Sequence, residues 1–288
     1  MIYFLYKTMQ LALNSHEWRN AGMLRTLRAG SSAAFILLSG LMASEPIYAA
    51  NEVSVTPYRP TVSNPAALPE PGWLEVETGL NRQKQPDGSR QTSLPYLLKY
   101  AFSPDFGILL GGDAHVRKID ADGKHLSGMG DTLLMLKHRW ALGEGDDAPA
   151  LGLEWGIQSP TAKSELNSGS GKTDYLINGI YSTQIEGNTI DLNLGATQLG
   201  IHETGSSRTK WTWASTISHP LNETWSIAGE LSGTARHGSP PENQALFAVA
   251  YNLSKRVVID AGMSVGLSSA AADHNYFFGA SFLLEKLR

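Results

Sequence analysis

The chain has 288 residues, no cysteine, and 23 basic against 27 acidic side chains, for a net charge of −4. The missing cysteines exclude a disulfide framework and thiolate metal sites. The near-balanced charge, with no basic cluster, excludes a nucleic-acid-binding surface.

The N-terminal region reads as a leader. Arg25 and Arg28 precede an apolar run, Ala33 to Ala43, and Ile47-Tyr48-Ala49 ends in a small residue. This is the three-part plan of a secretory signal peptide, cleaved after Ala49 or Ala50. The run is too short to span a membrane as a helix. Met23 stands where a signal peptide would normally begin, which marks residues 1–22 as a possible over-extension. Residues 1–49 carry four bases and two acids, so the remaining chain has a net charge of −6. Residues 50–71 form a second segment with prolines at 57, 60, 65, 69 and 71. That density prevents helix and disfavours a paired strand. The segment is expected in the periplasm or folded back into a barrel mouth.

From residue 72 onward, short stretches alternate apolar and polar residues. Thr189 to Leu199 is the clearest: Ile190, Leu192, Leu194 and Ala196 share one face, and Asp191, Asn193, Gly195 and Thr197 the other. Period two marks a strand with one apolar face. Twelve such segments are expected: 73–82, 92–102, 106–117, 130–140, 149–158, 173–185, 188–199, 208–218, 223–234, 243–252, 256–267 and 273–284. Each is near the ~10 residues a tilted strand needs to cross a bilayer. Connections alternate between short (103–105, 186–187) and long and polar (159–172, 200–207, 235–242), the loop rhythm of outer-membrane barrels. The expected fold is all-β: a transmembrane antiparallel β-barrel of about twelve strands, 72–288, behind a signal peptide. A secreted β-sandwich shares the leader and the alternation but does not require this loop rhythm.

Alternation also assigns faces. A charge turned to hydrocarbon costs roughly 2–4 kcal/mol at the bilayer midplane, so charged positions are placed in the lumen. The expected lumen-lining residues are Glu75, Glu77, Lys99, Asp113, His115, Arg117, Asp131, Lys137, Arg139, Glu154, Asp191, Asn193, Glu230 and Asp260. In the third strand this puts Gly107 and Gly111 inside, and Ile108, Leu110, Ala114 and Val116 toward lipid. Tryptophans 73, 140, 155, 211, 213 and 225 lie near strand ends, as interface girdles require.

Several fragments resemble a family of outer-membrane transport proteins linked to the MetA pathway of phenol degradation. They are Arg59-Pro60 to Pro71-Gly72, Trp73-Leu74-Glu75-Val76-Glu77-Thr78-Gly79, Gly130-Asp131 with Leu136-Lys137-His138-Arg139-Trp140, Gly195-Ala196-Thr197 and Asp260-Ala261-Gly262. The resemblance spans the mature chain and implies a barrel in the outer membrane of a Gram-negative cell. It also implies passage of small solutes, with aromatic or hydrophobic compounds as the class. Gly279-x-x-Phe282-x-Leu284 resembles the C-terminal signal read by the barrel assembly machinery, although Glu285 to Arg288 follow where that signal normally ends on an aromatic residue. The expected partners are therefore outer-membrane lipids, that machinery and a small-molecule solute, with no nucleic acid.

Rival readings are an outer-membrane lipid hydrolase and a structural barrel without flux. His237-Gly238-Ser239 is the nearest serine–histidine pair, but it lies beside two prolines without an orienting partner. Ser168-Gly169-Ser170-Gly171-Lys172-Thr173 ends like a phosphate loop yet lacks the first glycine and the strand–helix unit. The histidines show no metal-ligand spacing. No catalytic residue, cofactor site or metal site is assigned, and the protein is expected not to be an enzyme.

Overall fold

In the computed structural model, residues 53–145, 148–162, 166 and 171–287 are described. The leader expected over 1–49 lies outside them, as does the first half of the phosphate-loop-like stretch 168–173. The described residues form thirteen strands and no α-helix. They are β1 (Trp73–Lys84), β2 (Arg90–Ser103), β3 (Phe106–Ile119), β4 (His125–Gly128), β5 (Thr132–Ala141), β6 (Ala150–Ser159) and β7 (Asp174–Ile185). Then follow β8 (Asn188–Gln198), β9 (Thr209–Pro220), β10 (Trp225–Arg236), β11 (Ser239–Ser254), β12 (Val257–Gly266) and β13 (His274–Lys286).

Twelve of these make the wall. Each pairs antiparallel with its neighbours, and β13 pairs with β1 from Trp73↔Lys286 to Lys84↔His274, which closes the sheet. Closure leaves no unpaired edge, as a structure in hydrocarbon requires. β4 is the exception. Its four residues pair only with the far end of β3, Val116 to Ile119, and extend that hairpin beyond the wall. The segment HLSG has a single apolar residue, Leu126, so it carries no alternation to read. The long loop expected over 235–242 is also absent. β10 runs to Arg236 and β11 starts at Ser239, joined by a tight turn at His237-Gly238 with Gly238 at φ 84°. His237-Gly238-Ser239, the serine–histidine pair set aside as a catalytic site, is thus the corner of a hairpin.

One end of the barrel carries the short turns and Gly72, whose carbonyl accepts from the Leu287 N–H; we call it the turn end. The other carries the longer connections, the loop end. Between the two ends the outward face is apolar and exposed: Leu80, Leu94, Leu134, Ile177, Leu192, Leu194, Ile217, Leu231, Phe247 and Phe278 all point away from the barrel axis. A continuous belt of this kind belongs against lipid, not water. Exposed aromatics flank it, with Phe102, Trp140 and Trp225 toward the turn end and Tyr175, Trp211 and Tyr276 toward the loop end. Trp73 does not join them. It packs inward against the Val55–Val258–Leu283 cluster, under the Arg256 guanidinium.

The strict alternation of β3 breaks in the middle. Leu94 pairs with His115 but Pro95 pairs with Asp113, so Ala114 is an extra residue. Pro95 has no N–H to continue the ladder, and a bulge forms opposite it. Gly112, at φ 154° with the Asp131 carbonyl 2.6 Å from where a Cβ would sit, absorbs the kink. Beyond the bulge the faces are exchanged. Val116 is fully buried opposite inward Ser93, while His115 and Arg117 are exposed, His115 beside outward Leu94. The expected inward placement of His115 and Arg117, and the outward one of Val116, are therefore corrected.

Candidate functional site

Residues 53–71 lie inside the barrel. The segment is anchored at the turn end, where the Val55 N–H donates to the Lys255 carbonyl, and it returns there, where the Gly72 N–H donates to the Ala101 carbonyl. Its middle, residues 59–64, reaches into the lumen. Backbone donors in such a place cannot join a sheet and must still be satisfied. Five prolines remove five of them. Seven more are accepted by wall side chains.

The Thr56 N–H donates to Glu75 Oε1 at 2.9 Å. Glu77 accepts from Tyr58 N–H at 2.7 Å and from Arg59 N–H at 3.0 Å. Glu230 Oε2 accepts from Val62 and Ser63 at 2.9 and 2.8 Å, and from the Thr216 hydroxyl. Asn193 Oδ1 accepts from Asn64 N–H at 3.0 Å, and its Nδ2 donates back to the Asn64 carbonyl at 2.9 Å. The Ala66 N–H donates to the Ser182 hydroxyl, which in turn donates to Asp191. The wall thus meets this stretch of chain one amide at a time.

The cations complete the network. Lys99, fully buried, donates to the Thr56 carbonyl and pairs with Glu75 and Glu77 at 2.8 and 2.6 Å. Lys137 donates to the Pro65 carbonyl and pairs with Glu154 at 3.0 Å; Glu154 also accepts from Asn64 and Asn178. Both ammonium groups stand 4.1 Å from the centre of the Tyr58 ring, so the ring is held between two cations. That contact contributes most where water is excluded. Arg59 reaches the opposite wall and donates to both oxygens of Asp260 at 3.0 and 2.9 Å. Its guanidinium fills a notch left by the paired glycines Gly79 and Gly279; a Cβ on Gly279 would come within 2.4 Å of Arg59 Nε.

Three apolar clusters repeat the pattern, and each contains one residue of the segment. Val55 packs with Val258 and Leu283, Tyr58 with Leu109 and Met135, and Ala66 with Ala150 and Ile180.

Of the fourteen residues expected to line the lumen, Glu75, Glu77, Lys99, Lys137, Glu154, Asn193, Glu230 and Asp260 touch residues 53–71 directly. Asp191 does so through Ser182. The other five lie elsewhere. His115 and Arg117 are outside, and Asp113 is half-buried near the bulge, its carbonyl accepting from Gly130 N–H. Asp131 caps the start of the β6–β7 connection, accepting from Ala162 N–H at 3.0 Å. Arg139 sits at the turn end, where its N–H donates to the Asp105 carbonyl. Sequence reasoning missed Arg59, Asn64, Asn178, Ser182 and Thr216. Asn178 and Ser182 fall in step with the inward face of β7, and Thr216 with that of β9, so the period-two signal for them was present. For Arg59 and Asn64 no periodicity exists to read.

A family model described as "Putative MetA-pathway of phenol degradation" matches residues 59–284. The match therefore takes in the second half of the inserted segment together with the wall. An outer-membrane channel from Pseudomonas putida F1 superposes with a TM-score of 0.61 at 12% identity, covering 76% of this chain and 98% of that one. The NanC porin gives 0.52 at 10% identity, over 73% and 100%. No curated protein matches the sequence. The likeness to these structures is one of fold, a closed antiparallel barrel of outer-membrane type, while the family match spans most of the sequence: the chain belongs to the MetA-pathway phenol-degradation family.

Proposed function

We infer that the protein is an outer-membrane channel for small solutes whose lumen is closed by its own residues 53–71. One observation carries this reading. The inward polar side chains hold the backbone of an inserted segment, and the ion pairs they form with one another, Lys99 with Glu75 and Glu77 and Lys137 with Glu154, join neighbouring strands and do not cross the barrel. A barrel filled only for stability would be served better by apolar residues, since buried ion pairs are weak contributors to stability. A twelve-stranded barrel lies between eight-stranded barrels, filled by side chains, and sixteen-stranded ones with an open channel. Removing a segment of about twenty residues would leave a water-filled bore lined by Glu75, Glu77, Lys99, Lys137, Glu154, Asp191, Glu230 and Asp260.

The printed names of the structural relatives, an outer-membrane channel and a porin, fit the same reading. The apolar outward belt and its aromatic borders support residence in the outer membrane, reached through the barrel assembly machinery by way of β13. Planar-bilayer recording of the purified barrel, with and without residues 53–71, tests the proposal. The complete protein should pass little current and the shortened one much more, with heat-modifiable gel migration confirming that both are folded. If neither folded form conducts ions or passes solute, the channel reading fails and a structural barrel takes its place.

A further inference from the structure

Residues 53–71 divide the free volume of the lumen into two chambers of different chemistry. The chamber toward the turn end, about 540 Å³, has walls of evenly mixed character, with Val55, Ile227 and Val258 beside the charged Arg59, Glu223 and Lys255. The chamber toward the loop end, about 340 Å³, begins on the other side of Val62. Its wall has apolar patches at Val62, Ala214, Ala271 and Ala272, and its polar groups are nearly all neutral, chiefly Gln83, Asn178, Thr212, Ser232, Gln244 and Asn275. The one charged residue on its lining is Glu242, which is exposed. Both chambers lie along the same wall strands, β9 to β11. The ties from Arg59 to Asp260 and from Val62 and Ser63 to Glu230 stand between them.

The loop-end chamber also carries an acceptor without a donor. Asn275 Oδ1, on its lining, is buried and accepts no hydrogen bond from the protein. The same is true of Asn81 Oδ1 and Glu230 Oε1, each one inward position nearer the segment than Gln83 and Ser232. A buried acceptor without a donor is unfavourable, and such groups are normally completed by water or ligand. The volume falls at the small end of the range for small-molecule pockets.

Building on the channel reading, we propose that this chamber is a solute subsite selecting an uncharged small molecule that offers hydroxyl groups as hydrogen-bond donors. An anion would meet no lining cation, and the chamber's one charge, Glu242, is negative. A cation would give up its water for neutral amides and hydroxyls, a costly exchange without a paired charge. A wholly apolar solute would leave the amides and the orphan acceptors unpaired. Specificity of this kind, in which a site's polar groups reject an analogue lacking the matching donor, is stronger than discrimination by shape alone.

The test uses three probes of one ring size: catechol, benzoate and benzylamine. Binding is measured by equilibrium dialysis of the complete protein in nanodiscs against empty nanodiscs. Catechol should bind saturably, and neither benzoate nor benzylamine should displace it. Asn275→Leu and the near-isosteric Thr212→Val should each weaken catechol binding about three- to tenfold, the range expected for one lost hydrogen bond. Equal displacement by either charged probe overturns the proposal, and so does unchanged affinity in both folded variants. Conductance of the barrel lacking residues 53–71, measured beside catechol binding by the complete protein, separates the two readings. A shortened barrel that conducts while the complete protein binds no catechol overturns the subsite alone. Catechol binding by the complete protein, with neither ions nor solute passing the shortened barrel, overturns the channel alone.

Discussion

Arg59→Ala is the smallest change that should open the lumen. The guanidinium is the segment's sole ion pair to the β12 wall among the described residues, through two hydrogen bonds to Asp260. Asp260 is only 3% exposed. Removing one partner of a buried pair costs about 3–5 kcal/mol, because the remaining charge is left uncompensated. Arg59 lines the 540 Å³ chamber, and that chamber is large enough for water to enter the vacated space and hydrate the carboxylate. The lower end, about 3 kcal/mol, is therefore the better figure. The penalty falls on the closed state alone, since a displaced segment leaves Asp260 fully hydrated. At 1.4 kcal/mol per factor of ten, the closed-to-open ratio should fall by up to about 100-fold. Single-channel recording reads this ratio as the fraction of time closed. The double variant Arg59→Ala with Asp260→Ala removes the stranded charge and should close more than Arg59→Ala alone. An unchanged open fraction in Arg59→Ala, or a double variant more open than the single, would refute the reasoning.

Three further outcomes follow from the same contacts. The Ser63 and Thr216 hydroxyls touch, and the chain has no other cysteine to interfere, so Ser63→Cys with Thr216→Cys should form a disulfide. Oxidation should then hold the channel closed and a reductant should restore its wild-type behaviour, both seen as current across a bilayer. Gly279→Ala places a methyl group where Arg59 Nε now lies and should reproduce the Arg59→Ala increase in current while every charge is retained. His115→Ala and Arg117→Leu, both on the outward side of the bulge, should leave conductance within about twofold of wild type, whereas Lys137→Met strands buried Glu154 and should lower the thermal midpoint of unfolding in detergent.

How far the sequence could be read depended on where the deciding interaction lay. β8 was expected over 188–199 and runs over Asn188–Gln198, because a strand with lipid on one side and water or polar groups on the other writes its period into its own residues. The second half of β3 could not be read this way. Its faces are exchanged opposite Pro95, a residue of the neighbouring strand, and within Gly107 to Arg117 only Gly112, which takes up the kink, marks the place. β4 failed for lack of length. The inserted segment failed for a third reason. Its proline content was visible and was read, correctly, as incompatible with helix or a paired strand. Where its remaining N–H groups go was not visible, since the acceptors sit between 18 and 200 positions away in sequence.

The inserted segment also changes what the lumen charges mean. Taken from the sequence, eight acids and four bases on inward positions describe a passage of mixed sign without a strong preference for either ion sign. In the folded chain most of those charges have a fixed task. Glu75, Glu77 and Glu230 accept from backbone amides, Asp260 is bound to Arg59, and Glu154 is shared between Lys137 and two asparagines. Selectivity while the segment is in place then falls to the groups it does not occupy, which are the neutral amides and hydroxyls of the loop-end chamber. Displacing the segment releases a net negative set, Glu75, Glu77, Glu154, Asp191, Glu230 and Asp260 against Lys99 and Lys137, so an opened lumen should attract cations. The same barrel therefore favours neutral solutes at its loop-end chamber when closed and cations when forced open. Reversal potentials in a salt gradient check this directly: the barrel lacking residues 53–71 should be cation-selective, and an anion-selective or unselective pore would mean that the carboxylates do not line the path.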